Sequence, residues 1–139
     1  MWVYLGVLLM TSSIVSSTPK ASQDEVRATY NKRSIVVAAG CFWGAEKMFS
    51  RIPGVIDVVS GYANGKGVDA TYRAITLPSN RMNPNNHAEA VRVTYDPNAV
   101  NLRSLLESFF EYHDPTQVNR QGNDVGTQYR SMIFTTNRE

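Results

Sequence analysis

The chain reads as an α+β fold, a two-layer sandwich with a ferredoxin-like βαββαβ core. Three observations predict it. Ser34 to Ala39 is an apolar, β-branched run that stops at Gly40. Ala88 to Tyr95 alternates with period two, as a half-buried strand does. Leu102, Leu105, Leu106, Phe109 and Phe110 fall at i, i+3, i+4, i+7 and i+8, the apolar stripe of a helix. With the segments between them, the order becomes strand, helix, strand, strand, helix, strand.

Composition bounds what such a fold does here. At 139 residues the chain has the length of one domain. A hydrophobic content of 42% and a charged content of 19% describe a globular chain, not a disordered one. The formal charge of +2, with no basic stripe interleaved by aromatics, argues against nucleic acid as a partner. A single cysteine excludes an internal disulfide and a cysteine-rich structural zinc site. No internal repeat is visible.

The first residues form a separate segment. Trp2 to Met10 is apolar but too short for a bilayer, which needs about 20 residues. Small residues follow, and Val15-Ser16-Ser17 offers a cleavage site, so residues 1–17 read as a secretory signal peptide. An uncleaved apolar anchor is the alternative. The expected location is the secretory pathway or outside the cell, with the cytoplasm or mitochondrion as alternatives; Arg is missing until Arg27, which disfavours a mitochondrial presequence. Residues 18–33 are polar and linker-like, with a capping box at Ser22-Gln23-Asp24-Glu25 that can start one short helix. The domain proper is expected over 34–139.

Within it, Ser34–Ala39 is a buried strand and Gly40 lets the backbone turn sharply at its end. Phe42, Ala45, Phe49 and Ile52 then keep helical spacing until Pro53-Gly54. Val55 to Tyr62 is β-branched and closes at the turn Ala63-Asn64-Gly65. Ala70 to Ile75 suggests one helical turn, and residues 76–86, with Pro78, Pro84 and four asparagines, a loop. Asp96-Pro97 breaks the strand at 88–95. Asn101 is the candidate N-cap of the second helix, and Asp114-Pro115 stops it. A loop containing Gly and Asn leads to a last strand over Tyr129–Phe134.

Two residues carry candidate chemistry. Cys41 falls at or near a helix N-terminus, where unpaired N–H groups and the helix dipole favour an anion. A free thiol titrates near about 8.5, and such a setting favours the reactive thiolate. Yet free cysteine is often a small core hydrophobe, and position alone leaves nucleophile and core filler at even odds. In the third strand Glu89 shares a face with Val91, Val93 and Tyr95, while Ala90, Arg92 and Thr94 take the other. It is either a desolvated carboxyl able to hold a proton near neutral pH, or the solvated end of a frayed strand. Periodicity alone favours the second slightly. His87-x-Glu89 lacks the downstream Pro-Cys-x-x-Cys of a zinc deaminase. His113 suits the negative end of its helix, and no spacing brings either histidine to the thiol. Trp43 lies off the Phe42/Ala45/Phe49 stripe and suits a pocket; Phe42 suits either pocket or core.

The motif Gly40-Cys41-Phe42-Trp43-Gly44-Ala45-Glu46 resembles the signature of the peptide methionine sulfoxide reductase A family. Four more motifs follow in the family's order: Gly61-Tyr62-Ala63-Asn64-Gly65, Thr71-Tyr72-Arg73, His87-Ala88-Glu89-Ala90-Val91, and His113-Asp114-Pro115-Thr116-Gln117. The densest match is Arg120-Gln121-Gly122-Asn123-Asp124-Val125-Gly126-Thr127-Gln128-Tyr129-Arg130-Ser131. The resemblance covers the chain from about Ser34 onward and favours the nucleophile reading of Cys41.

It implies an enzyme that reduces methionine S-sulfoxide, free or in oxidised proteins, and so repairs them. Cys41 would attack the sulfoxide sulfur, and Glu89 would protonate the departing oxygen. Tyr72 and Tyr129 would hydrogen-bond that oxygen, and Asp124 would help position substrate and a water. Phe42 and Trp43 would wall the S-methyl pocket that selects the S epimer. The products would be methionine and a sulfenic acid on Cys41. The resemblance implies no metal or organic cofactor, a monomer, and thioredoxin or a small thiol as external reductant. Family members continue past the strand at 129–135 and often carry resolving cysteines there. The C-terminal part of the family domain is therefore expected to be missing from this chain. Asn86 stands where a glycine is common and Ala70 where proline is usual, changes expected to loosen Tyr72 and Glu89.

Overall fold

The computed structural model describes residues 22–135. The signal-peptide reading of 1–17, the first residues of the 18–33 linker and the last four residues lie outside them. A helix α1 (Gln23–Tyr30) opens the described part. Its capping box is formed: Ser22 Oγ accepts from the Glu25 N–H, and the Ser22 N–H donates to Glu25 Oε2 at 2.8 Å. No helix among the described residues is long and apolar enough to cross a membrane.

Strand β1 (Arg33–Ala39) leads through Gly40 into helix α2 (Phe42–Phe49), followed by strand β2 (Val55–Ala63). A single turn of helix α3 (Tyr72–Ile75) comes next, started by Thr71, whose Oγ1 accepts from the Ala74 N–H. Strand β3 (Ala88–Tyr95) and helix α4 (Leu102–Tyr112) follow. Asn101 caps α4 by accepting from the Ser104 N–H at 2.8 Å. Two short strands, β4 (Arg120–Gln121) and β5 (Asp124–Val125), pair with each other inside the loop that leads to β6 (Ser131–Phe134).

The fold is α+β. Its four-stranded sheet has the order β2-β3-β1-β6, and every neighbouring pair is antiparallel. Helices α2 and α4 supply Phe42, Ala45, Phe49, Leu105 and Phe109 to one buried cluster with Val37, Ala39, Val91, Val93 and Tyr95 of the sheet. On the opposite face Ala38, Ala88 and Ala90 form a smaller cluster of short side chains, flanked by Val36, Ala63, Met132 and Phe134. The alternation read from the sequence thus places the helix-facing residues of β3.

Two local readings change. The last strand starts at Ser131, not Tyr129. Residues 127–129 form a 3₁₀ turn, with the Tyr129 N–H donating to Gly126 O at 3.0 Å, so pairing with β1 begins one residue beyond Arg130. The 76–86 loop holds a 3₁₀ turn at Pro78–Asn80, started by proline at its first position. Asn86, expected to loosen Tyr72 and Glu89, has its Oδ1 buried without a partner but its amide nitrogen bonded. It is fully buried, and its Nδ2 donates to Ile75 O at 2.9 Å and Asn80 O at 3.1 Å, tying β3's entrance to the turn that carries Tyr72.

Candidate active site

Gly40 has φ +86°, a conformation that disfavours any side chain, and a Cβ there would stand 2.8 Å from Gln121 Cβ. The turn places Cys41 at the N-cap of α2, half-buried and free, with no side-chain capping bond to the helix. The first orphan donor of the helix has another partner. The Phe42 N–H donates to Glu89 Oε2 at 3.1 Å. The carboxyl is thereby fixed one residue from the thiol.

Glu89 is 2% exposed, so the frayed-strand alternative fails. The physical reason is that β3 is covered on both faces at its start: Ala88, Ala90 and Val91 are buried too, and Glu89 pairs with Tyr62 in the ladder. Period two reports which face a residue takes, but not whether the strand end is covered. Burial pushes the Glu89 carboxyl above its ordinary range, the Phe42 hydrogen bond opposes this, and the nearby Asp124 charge adds to it. A carboxyl raised in this way is suited to give up a proton one residue from the thiol.

The remaining residues converge on the same region. Tyr72, Asp124 and Tyr129 line a cavity of about 390 Å³, together with Arg81 and Gln128. Burial raises the Tyr129 phenol, and the charges of Glu89, Asp124 and Cys41 raise it further, so Tyr129 connects that cavity to the Cys41–Glu89 pair. Phe42 is 8% exposed and belongs to the core cluster. Its ring lies 6.0 Å from that of Trp43 and 5.6 Å from that of Tyr62. Trp43 is outside the core, 68% exposed.

Neither histidine is arranged as a base for the thiol. His87 Nδ1 accepts from the Gly65 N–H at 3.1 Å, which leaves Nε2–H to donate to Val68 O at 2.9 Å. His113 Nδ1 donates to Phe109 O at 2.7 Å, and Nε2 meets Ser131 Oγ at 2.7 Å. Both rings hold backbone. Among the described residues no group of three His, Cys, Asp or Glu side chains is placed to hold a metal ion.

The model of the family described as peptide methionine sulfoxide reductase matches residues 33–139. The chain belongs to this family. Peptide methionine sulfoxide reductase MsrA of Corynebacterium kroppenstedtii is 53% identical over 103 residues, 74% of this chain and 44% of that protein. The protein of the same description from Mycobacterium leprae is 50% identical over 107 residues, 77% of this chain and 55% of that one. Among solved structures, methionine sulfoxide reductase A of Corynebacterium diphtheriae superposes with a TM-score of 0.68 at 42% identity, covering 77% of this chain and 48% of that one. Reduced Mxr1 from Saccharomyces cerevisiae gives a TM-score of 0.67 at 35% identity, covering 78% and 61%. The chain thus spans about half the length of the relatives it matches.

Two residues of this reductase-family site have no role in the sequence reading. Tyr62 lies opposite Glu89 in the β2–β3 ladder, its ring against Phe42, and its phenol is raised by burial, by Glu89 and by Tyr72. Its signal was the Gly61-Tyr62 motif, which names a residue without naming what it faces. Tyr112, the last residue of α4, has a phenol raised by burial and by the charge of Cys41. Nothing in the sequence flags it, because α4 and α2 meet only in the folded chain.

Proposed function

We propose that this chain reduces methionine S-sulfoxide to methionine, in oxidised proteins or as the free amino acid, and leaves the oxygen on Cys41. The observation that carries the reading is the buried Glu89 carboxyl held beside Cys41 by the Phe42 N–H. The Cys41 thiolate attacks the sulfoxide sulfur while Glu89 protonates the oxygen. In net terms thiolate, sulfoxide and one proton give sulfenic acid and thioether: Cys41 sulfur loses two electrons and the substrate sulfur gains them. Tyr72 and Tyr129 donate hydrogen bonds to the oxygen as charge builds on it. Asp124 helps to orient substrate and water, and Phe42 and Trp43 wall the methyl pocket that favours the S epimer.

Cys41 is the only cysteine in these 139 residues, so within them an external thiol, thioredoxin or a small one, returns the sulfenic acid to thiol. The strand order β2-β3-β1-β6, with α2 and α4 contributing to one core, supports a ferredoxin-like two-layer βαββαβ core. The composition of residues 1–17 supports entry into the secretory pathway.

Single turnover tests the chemistry. Reduced protein is mixed with methionine S-sulfoxide, as the free amino acid and within a peptide, without recycling thiol. Dimedone then traps the product. The expected result is one equivalent of methionine and one adduct on the tryptic peptide spanning residues 34–47, which holds Cys41 and no methionine. Absence of both from wild-type protein, with either substrate, would overturn the reading in favour of a non-catalytic domain.

A further inference from the structure

Helix α4 ends on a residue that the chemistry above leaves unused. The Tyr112 hydroxyl lies against the first turn of α2: a Cβ built on Gly44 would overlap Tyr112 Oη and stand 3.6 Å from Cζ. Gly44 is the third residue of α2, and Cys41 is its N-cap, so positions 41 and 44 share one side of that turn. Only a residue without a side chain leaves room for the phenol there. Its placement is fixed from behind, because His113 ties the end of α4 to Phe109 O and to Ser131 of β6. The phenol also stays protonated, held up by burial and by the charge of Cys41. A hydroxyl donor therefore lies over the first turn of α2, on the side that carries Cys41, whose side chain makes no capping bond of its own.

We propose that Tyr112 positions the oxygen that Cys41 acquires, donating a hydrogen bond to the sulfenate and slowing its further oxidation. A donor on that oxygen draws electron density from the sulfur, which is the nucleophile of the next oxidation step. The inference rests on the reductase reading only for the physiological source of the oxygen. Hydrogen peroxide supplies the same group: thiolate and peroxide give sulfenic acid and hydroxide, and sulfenate with a second peroxide gives sulfinate and water.

The test uses peroxide, so it does not depend on sulfoxide reduction. Wild type, Tyr112→Phe and Gly44→Ala are exposed to graded peroxide, and the 34–47 peptide is followed by mass as dimedone-trapped sulfenic acid and as sulfinic acid. Tyr112→Phe keeps the ring and its shielding but loses the donor. It is expected to pass from sulfenic to sulfinic acid about tenfold faster at an unchanged melting temperature. Gly44→Ala keeps the phenol but displaces its hydroxyl, and is expected to move the same ratio in the same direction; the double variant should go no further than Tyr112→Phe. Alanine is the better helix former at that position, so Gly44→Ala reports even if Tyr112→Phe folds poorly. Equal sulfenic-acid lifetimes in wild type and either folded variant would overturn the proposal. A chain that fails to reduce methionine sulfoxide yet shows the difference would still support it.

Discussion

Replacing Glu89 by glutamine removes a transferable proton and keeps the shape. The side chain is 2% exposed and accepts from the Phe42 N–H at 3.1 Å, a bond the glutamine carbonyl can still accept. The first donor of α2 therefore stays satisfied and Cys41 stays in place. A positioned general acid contributes about 10² to 10⁴ in rate, or about 2.7 to 5.4 kcal/mol of barrier at 1.36 kcal/mol per tenfold. Glu89→Gln should lose that much in single-turnover reduction of methionine S-sulfoxide, and the tyrosine donors set what is left.

The pH dependence fixes the sign. Burial raises the folded Glu89 above its ordinary 4.5, so above that value the folded state holds a proton the unfolded state has lost. Wild-type stability falls as pH rises from there through the folded pKa, and its rate falls as the acid ionises. Glu89→Gln has neither dependence: its rate should be low and free of that limb. In urea at mildly alkaline pH it should be at least as stable as wild type. A variant that reduces sulfoxide at the wild-type rate, with the wild-type profile, would refute the assignment of the proton to Glu89.

Phe49 is fully buried at the centre of the α2-to-sheet cluster, so Phe49→Ala should lower the urea-derived stability by about 3–5 kcal/mol; a loss below about 1 kcal/mol would mean that α2 does not anchor the core. Gly40→Ala places a methyl at φ +86° and 2.8 Å from Gln121 Cβ, with an expected cost of about 1–3 kcal/mol by thermal melting, and a wild-type melting temperature would count against the strained turn. His87→Ala and His113→Ala each remove two backbone or hydroxyl ties and should cost about 1–2 kcal/mol of stability while keeping the first half-reaction within about tenfold. If either histidine variant were as inactive as Cys41→Ser, a histidine-activated thiol would replace the reductase reading.

How much of this is legible in the sequence depends on the range of the interaction. Apolar periodicity marks the faces of β3 and α4, and local capping chemistry marks Ser22 and Asn101, because each of these signals is complete within a few residues. The covered start of β3 is not local. Whether Glu89 is solvated depends on its pairing with Tyr62 and on the alanines packed behind it, contributed by β1 and β2 as well as β3. The misplaced start of β6 has a local cause instead, a turn that competes with the strand. Tyr129 is as aromatic as a strand start, but the Gly126 carbonyl takes its N–H first.

The site itself follows one division of labour. Residues that present the thiol, Gly40 and Cys41, lie together in the sequence because one turn makes them. Residues gathered around that turn, Glu89, Tyr129, Asp124 and Tyr112, come from β3, the 3₁₀ turn, β5 and α4, and only tertiary packing brings them together. A motif can identify the first three of these without saying what they face. It cannot identify Tyr112, whose counterpart in the sequence is an unremarked Gly44. A glycine third from the cysteine at a helix N-terminus thus marks where another chain segment comes close, and in this chain that segment is the end of α4 with the Tyr112 hydroxyl.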